Sequence, residues 1–155
     1  MKKTRILSTM LAAVVCMASL PAINVFAANQ QRTATLDLTK AEFATDQKND
    51  DEGWSWDAAT STLTLDNVDF STGNKESIYA DGAKSMTILF KGENKLTSSN
   101  TVIGRADKCS DDTVLTLKGE NKESKLSLTE TGDLPTIDQP NITFESGTVD
   151  IQGGA

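Results

Sequence analysis

The side chains with most to offer a ligand are two tryptophans and a tyrosine. Trp54 and Trp56 lie two apart, so on an extended chain both rings face the same side. Flat indoles in a row can stack on the apolar CH faces of sugar rings. Tyr79 is the single tyrosine and follows Ile78; if Ile78 turns into a core, Tyr79 turns outward and becomes the first aromatic available for ligand contact. Two acidic groups accompany them: Asp107, Asp111 and Asp112 between Ile103 and Leu115, and Asp50, Asp51 and Glu52 just before the tryptophans. Oxygen-rich clusters suit calcium, which takes about six to eight oxygen ligands. Neither cluster has the spacing of an EF-hand or of a glycine-rich calcium repeat, so solvated charge is the simpler reading and calcium the alternative.

Other chemistry is excluded by composition. The 155 residues include no histidine, which removes Ser-His-Asp and Cys-His catalysis, His-ligated zinc and imidazole acid/base chemistry. A chain this short, with 24% charged and 37% hydrophobic residues, reads as one small soluble domain. Lys2, Lys3 and Arg5, then an apolar run from Ile6 to Val25 and small residues up to Ala27, have the layout of a cleaved signal peptide over residues 1–27. Export to the outside of the cell or its surface follows, with no membrane attachment after cleavage. Without the three leader cations the formal charge of −7 becomes −10. With no block of Lys/Arg to neutralise phosphates, nucleic acid is not an expected partner. Cys16 leaves with the leader, so Cys109 has no partner for an internal disulfide.

The elements that must position these residues are short strands. Alternation of period two recurs in Leu63-Thr64-Leu65, Ile88-Leu89-Phe90, Leu115-Thr116-Leu117, Leu126-Ser127-Leu128, Ile142-Thr143-Phe144 and Val149-Asp150-Ile151, separated by Gly, Asn, Asp, Ser and Lys. The pentapeptide Lys91-Gly92-Glu93-Asn94-Lys95 returns as Lys118-Gly119-Glu120-Asn121-Lys122, 27 residues on. The same shift carries Ile88 and Phe90 to Leu115 and Leu117, then to Ile142 and Phe144. A second apolar arc follows each turn (Val68 with Phe70, Leu96, Leu126 with Leu128, Val149 with Ile151), and a third precedes the next strand (Ile78, Ile103, Ile137). Three apolar arcs per repeat predict an all-β fold, a right-handed parallel β-helix (β-solenoid) of about three to four rungs, short, behind an N-terminal signal helix. Ile88, Phe90, Leu115, Leu117, Ile142 and Phe144 should point inward. Asn94 and Asn121, at one corner of successive repeats, should stack and satisfy backbone groups at the bend. Residues 28–52 form the lead-in or cap and 53–155 the repeats. The two tryptophans then have a first role in closing the N-terminal end of the coil, and stacking on sugar is the second.

The segment Gly53-Trp54-Ser55-Trp56-Asp57 followed by Leu63-Thr64-Leu65-Asp66-Asn67-Val68 resembles the opening of a family of secreted bacterial surface proteins described as carbohydrate-binding domain-containing. Their fold is a pectate-lyase-like β-helix. The resemblance runs from about Thr33 to the C-terminus and implies glycan or polysaccharide adhesion without catalysis. The rival class is an enzyme: β-helix polysaccharide lyases use an Arg or Lys as base beside calcium-binding carboxylates, and Arg105 near the Asp107 cluster is the one constellation that could imitate that. Three to four rungs span only about 15–20 Å, too short for a polymer groove. The third class is a structural or adhesive module acting through strand edges. The final repeat is followed by Gln152-Gly153-Gly154-Ala155, which supply no bulky plug, so the expectation is an open C-terminal edge that frays, self-associates, or pairs with the rest of a longer protein from which the repeats are truncated.

Overall fold

The computed structural model describes residues 30–106 and 110–153. The signal-peptide reading of residues 1–27 lies outside the described residues, as do Asp107 and Cys109. The chain is an all-β parallel solenoid of about three turns. In chain order, β1 (Leu36–Asp37) is followed by a 3-10 turn (Ala41–Ala44) and a hairpin of β2 (Gln47–Asn49) and β3 (Trp54–Asp57). The first turn of the coil is β4 (Thr62–Asp66), β5 (Asp69–Ser71) and β6 (Ile78–Ala80), and the second is β7 (Met86–Lys91), β8 (Glu93–Ser98) and β9 (Ile103–Arg105). The third begins with β10 (Val114–Gly119) and β11 (Lys125–Glu130), and β12 (Asn141–Ser146) and β13 (Thr148–Gln152) start another.

These strands stack into three sheets, one for each apolar arc: β12-β10-β7-β4-β3-β2, β13-β11-β8-β5 and β1-β6-β9. An isolated bridge from Ile103 to Ile137 carries the third arc one turn further. Each side therefore has its own ladder. Leu63 lies beside Ile88 and Leu65 beside Phe90; Phe70, Leu96, Leu128 and Ile151 follow one another on the second side; Leu36, Ile78 and Ile103 line the third. Leu63, Leu65, Phe70, Ile78, Ile88, Phe90, Leu96, Ile103, Leu115, Leu117 and Leu128 are fully buried. Outward positions in β4, β7, β10 and β12 carry a continuous row of threonines, Thr62, Thr87, Thr116 and Thr143, a side chain suited to a half-exposed pleated surface.

The register differs from the 27-residue repeat at one step. Leu115 lies beside Met86, Leu117 beside Ile88 and Gly119 beside Phe90, so β10 is displaced by two residues relative to the alignment of the pentapeptides. A shift of two keeps the same side chains inside, which is why the inward assignment holds while the register does not. In this register Gly119 sits beside Phe90 and packs against backbone: a Cβ at 119 would lie 2.8 Å from Gly147 Cα and 2.9 Å from Asn121 O. The Phe90 ring reaches as far as Gly147, where an added Cβ would lie 2.7 Å from Phe90 Cε2. The step from β10 to β12 does keep the 27-residue interval, pairing Leu115 with Ile142 and Leu117 with Phe144.

Two further expectations are corrected. Asn94 and Asn121 do not stack: Asn94 sits inside β8 beside Leu126, whereas Asn121 lies in the loop between β10 and β11. The two pentapeptides occupy different geometry, because the first turns its corner at Gly92 alone and the second spends five residues between strands. Asn94 does bind backbone across rungs. Its Oδ1 accepts from Val68 N at 3.1 Å, and its Nδ2 donates to Lys91 O at 2.8 Å and Lys125 O at 3.2 Å. Asn121 caps only its own loop, accepting from the backbone N–H groups of Glu123 and Ser124. Ile142 and Phe144 continue the inward ladder but are 37% and 56% exposed, because among the described residues no further rung covers them.

Candidate functional site

The tryptophans cap the coil. β3 runs antiparallel to β4, placing Trp54 beside Leu65 and Trp56 beside Leu63, so both rings sit on the core side of the first rung and pack against its buried residues. Phe43, from the 3-10 turn, completes the lid, with its ring 6.0 Å from Trp54 and 6.4 Å, edge-on, from Trp56. Both indole N–H groups are used internally: Trp54 Nε1 donates to Glu52 Oε2 at 2.7 Å and Trp56 Nε1 to the Phe43 carbonyl at 2.9 Å. Arg32 donates to the same Glu52 oxygen and lies 5.9 Å from the Trp54 ring centre, within cation-π range. Each ring is only partly buried. The acidic run before them is dispersed: Glu52 joins this network, Asp50 pairs with Lys48 at 2.8 Å, and Asp51 is exposed.

Tyr79 points outward between buried Ile78 and Ala80, and the parallel register puts Asp37 of β1 on one side of it and Gly104 of β9 on the other. It lines a surface groove of about 500 Å³ with Ala34, Thr35, Asp37, Lys40, Lys75 and Glu76. Gly104 is needed there. A Cβ at 104 would lie 2.7 Å from Glu76 Cγ and 3.5 Å from Tyr79 Cδ2, so glycine leaves the space that the Glu76 stem occupies next to β9. The Asp37 carboxylate is held in place by Thr39, which donates from its N–H at 3.1 Å and from its hydroxyl at 2.6 Å. On the other side of the Leu38–Lys40 segment lies a more enclosed cavity of about 280 Å³, with Phe43, Trp56 and Met86 as apolar walls and Lys40, Lys84 and Asp81 as charged ones. Lys40 lines both depressions.

Thus Trp56 and Tyr79 line neighbouring but separate depressions, and Trp54 lines neither. Sequence reasoning missed Phe43, Lys40 and Asp37. The one available signal was the short Phe43-containing segment inside the lead-in; nothing local marks Asp37 and Lys40, which reach Tyr79 only through the pairing of β1 with β6. Asp111 and Asp112 are exposed in the turn before β10, and no group of three acidic, Cys or His residues poised for a metal occurs among the described residues. Arg105 Nε lies 3.5 Å from Asp138 Oδ1. One carboxylate and one amine have a clear acid–base perturbation elsewhere on the surface: hydrogen bonds from Thr60 hold the Asp57 carboxyl below the usual aspartate range, and the hydrogen bond and charge of Asp50 raise Lys48. Comparison with protein-family models, with curated proteins and with solved structures returns no match. No described helix is long and apolar enough to cross a membrane.

Proposed function

We propose that this β-solenoid is a secreted or cell-surface, non-catalytic carbohydrate-binding module whose contact is centred on Tyr79. One observation carries the reading. An outward tyrosine ring lies in an open groove whose walls are two carboxylates and two ammonium groups, Asp37, Glu76, Lys40 and Lys75. A ring face offers a surface for the CH side of a sugar, and flanking carboxylates accept from sugar hydroxyls while lysines donate to them. The Trp56 cavity beyond Lys40 supplies a second aromatic wall for an adjoining residue of a longer glycan. The resemblance of the Gly53–Val68 segment to carbohydrate-binding surface proteins points the same way.

The test is retention on a glycan array with and without a chelator, followed by calorimetry on any glycan retained. Tyr79→Ala should weaken binding roughly tenfold or more, the equivalent of about 1.4 kcal/mol, with unchanged thermal stability. Full affinity in Tyr79→Ala, or no glycan retained by the native chain, removes this function.

A further inference from the structure

The N-terminal end of the coil is closed by the β2–β3 hairpin, Phe43 and the tryptophans. The opposite end differs. β12 and β13 are the outermost strands of their sheets, each paired on one side only, and their inward side chains lie open: Ile142 is 37%, Phe144 56% and Ile151 45% exposed, with Val149 half-buried beside them. A groove of about 430 Å³ runs along Phe144, Val149 and Ile151. Unpaired strand edges next to bare apolar rows are a template for another strand.

We propose that this end is the interface of a two-fold symmetric, tail-to-tail dimer in which β12 of each copy pairs antiparallel with β13 of the other. The geometry follows from the single-residue corner at Gly147, where φ is +81°. A two-fold axis through that corner, perpendicular to the coil axis, exchanges the two sides of the end face and reverses strand direction, so β12 meets β13 of the second copy antiparallel and both edges are satisfied at once. Opposing Phe144 to Val149 and Ile142 to Ile151 brings the apolar rows together. Thr143 then falls opposite Asp150, and Asn141 opposite Gln152. No like charges face each other: Asp150 meets a hydroxyl, and Glu145 is already paired with Lys118 of its own copy at 2.8 Å. A second copy is the occupant because the end face complements itself in strand direction and apolar pattern without opposing like charges. Among the described residues, the N-terminal end has edge strands of its own but its apolar rows are covered by Phe43 and the tryptophans, so it presents no bare apolar row for head-to-tail stacking. A closed two-fold contact of this kind is isologous and stops at two copies. Linked back to back, two Tyr79 grooves would engage a repetitive glycan together; that consequence alone rests on the binding function proposed above.

The experiment is sedimentation equilibrium and hydrogen exchange on the purified chain over a range of concentration and salt, beside Phe144→Ser and an Ile142→Lys/Phe144→Ser double variant. Both positions are substantially exposed in the single chain, so the variants should keep the native circular dichroism when dilute and melt cooperatively, at a somewhat lower temperature. The native chain is expected to sediment as a dimer in the tens-of-micromolar range, more tightly at higher salt as the repulsion between two acidic copies is screened. Concentration-dependent protection should appear in β12 and β13, and the double variant should be monomeric. A monomer with β12 and β13 amides protected would place another part of the chain over this face. A monomer with those amides open would leave it to a different partner, and growth beyond the dimer would mean an open-ended contact. Persistence of the dimer in the double variant would put the interface elsewhere. Each of these four results overturns the proposal, and none depends on whether glycan binds.

Discussion

Leu117 is the residue through which the stacked-ladder architecture can be tested most directly. It is fully buried, with Ile88 beside it on one rung and Phe144 on the other. Truncating a buried Leu to Ala costs about 2–5 kcal/mol, with the position in that range set by how far the surroundings collapse into the hole. On the Ile88 side collapse is resisted, because β7 is held by ladders to both β4 and β10. On the Phe144 side the ring is 56% exposed and free to settle inward. Those opposing features place Leu117→Ala near the middle, about 3 kcal/mol. Against a total of about 5–15 kcal/mol for a domain, that is a large loss, and it corresponds to a melting temperature lower by roughly 10–15 °C for a chain of this size. Phe144→Ala in the same column should cost about half as much or less, since most of that ring is already in water. The assay is urea denaturation followed by circular dichroism, at concentrations low enough to keep the chain monomeric, with unchanged m-values confirming a stability effect. A loss under about 1 kcal/mol for Leu117→Ala, or a larger loss for Phe144→Ala than for Leu117→Ala, would refute the ladder.

Gly119→Ala tests the two-residue register displacement. A Cβ there would come within 2.8 Å of Gly147 Cα and 2.9 Å of Asn121 O, both backbone atoms, so the substitution should destabilise by about 1–3 kcal/mol as an overpacking change. A neutral result in the same urea assay would favour the register implied by the pentapeptides. Asp57 should titrate below the usual aspartate range, because Thr60 N donates to its Oδ1 at 3.0 Å and the Thr60 side chain adds a second bond. With the folded-state pKa depressed, the stabilisation is present above the unfolded-state value and is lost as pH falls through the folded one. Carbon-detected NMR titration should show this shift reduced in Thr60→Ala, and an Asp57 carboxyl titrating at or above the ordinary value would contradict the hydrogen-bonded geometry.

By itself the sequence determined the fold class and which side chains face inward. Both are local properties: alternation of period two marks a strand with one buried face, and recurrence of three apolar arcs marks a coil. The inward set survived an error of two residues in register because parity, and not register, decides which face a side chain takes. Only the tertiary structure decided the register between β7 and β10, where Gly119 packs against the Gly147 backbone and the Phe90 ring reaches Gly147, contacts between chain-distant residues that leave no periodic trace. The same holds for Asn94, whose amide bridges Val68, Lys91 and Lys125 in place of the stack with Asn121 that identical pentapeptides suggest. The candidate site shows the division most clearly. The outward direction of Tyr79 could be read from buried Ile78 beside it, but its groove exists because β1 pairs with β6 and brings Asp37 and Lys40 to it from some forty residues away in the chain. The apolar face that β12 and β13 present was legible from the alternation of Ile142, Phe144, Val149 and Ile151. Its self-complementary character was not, because that arises from the right pairing of two edges around the Gly147 corner, a relation of direction and symmetry that a linear pattern does not contain.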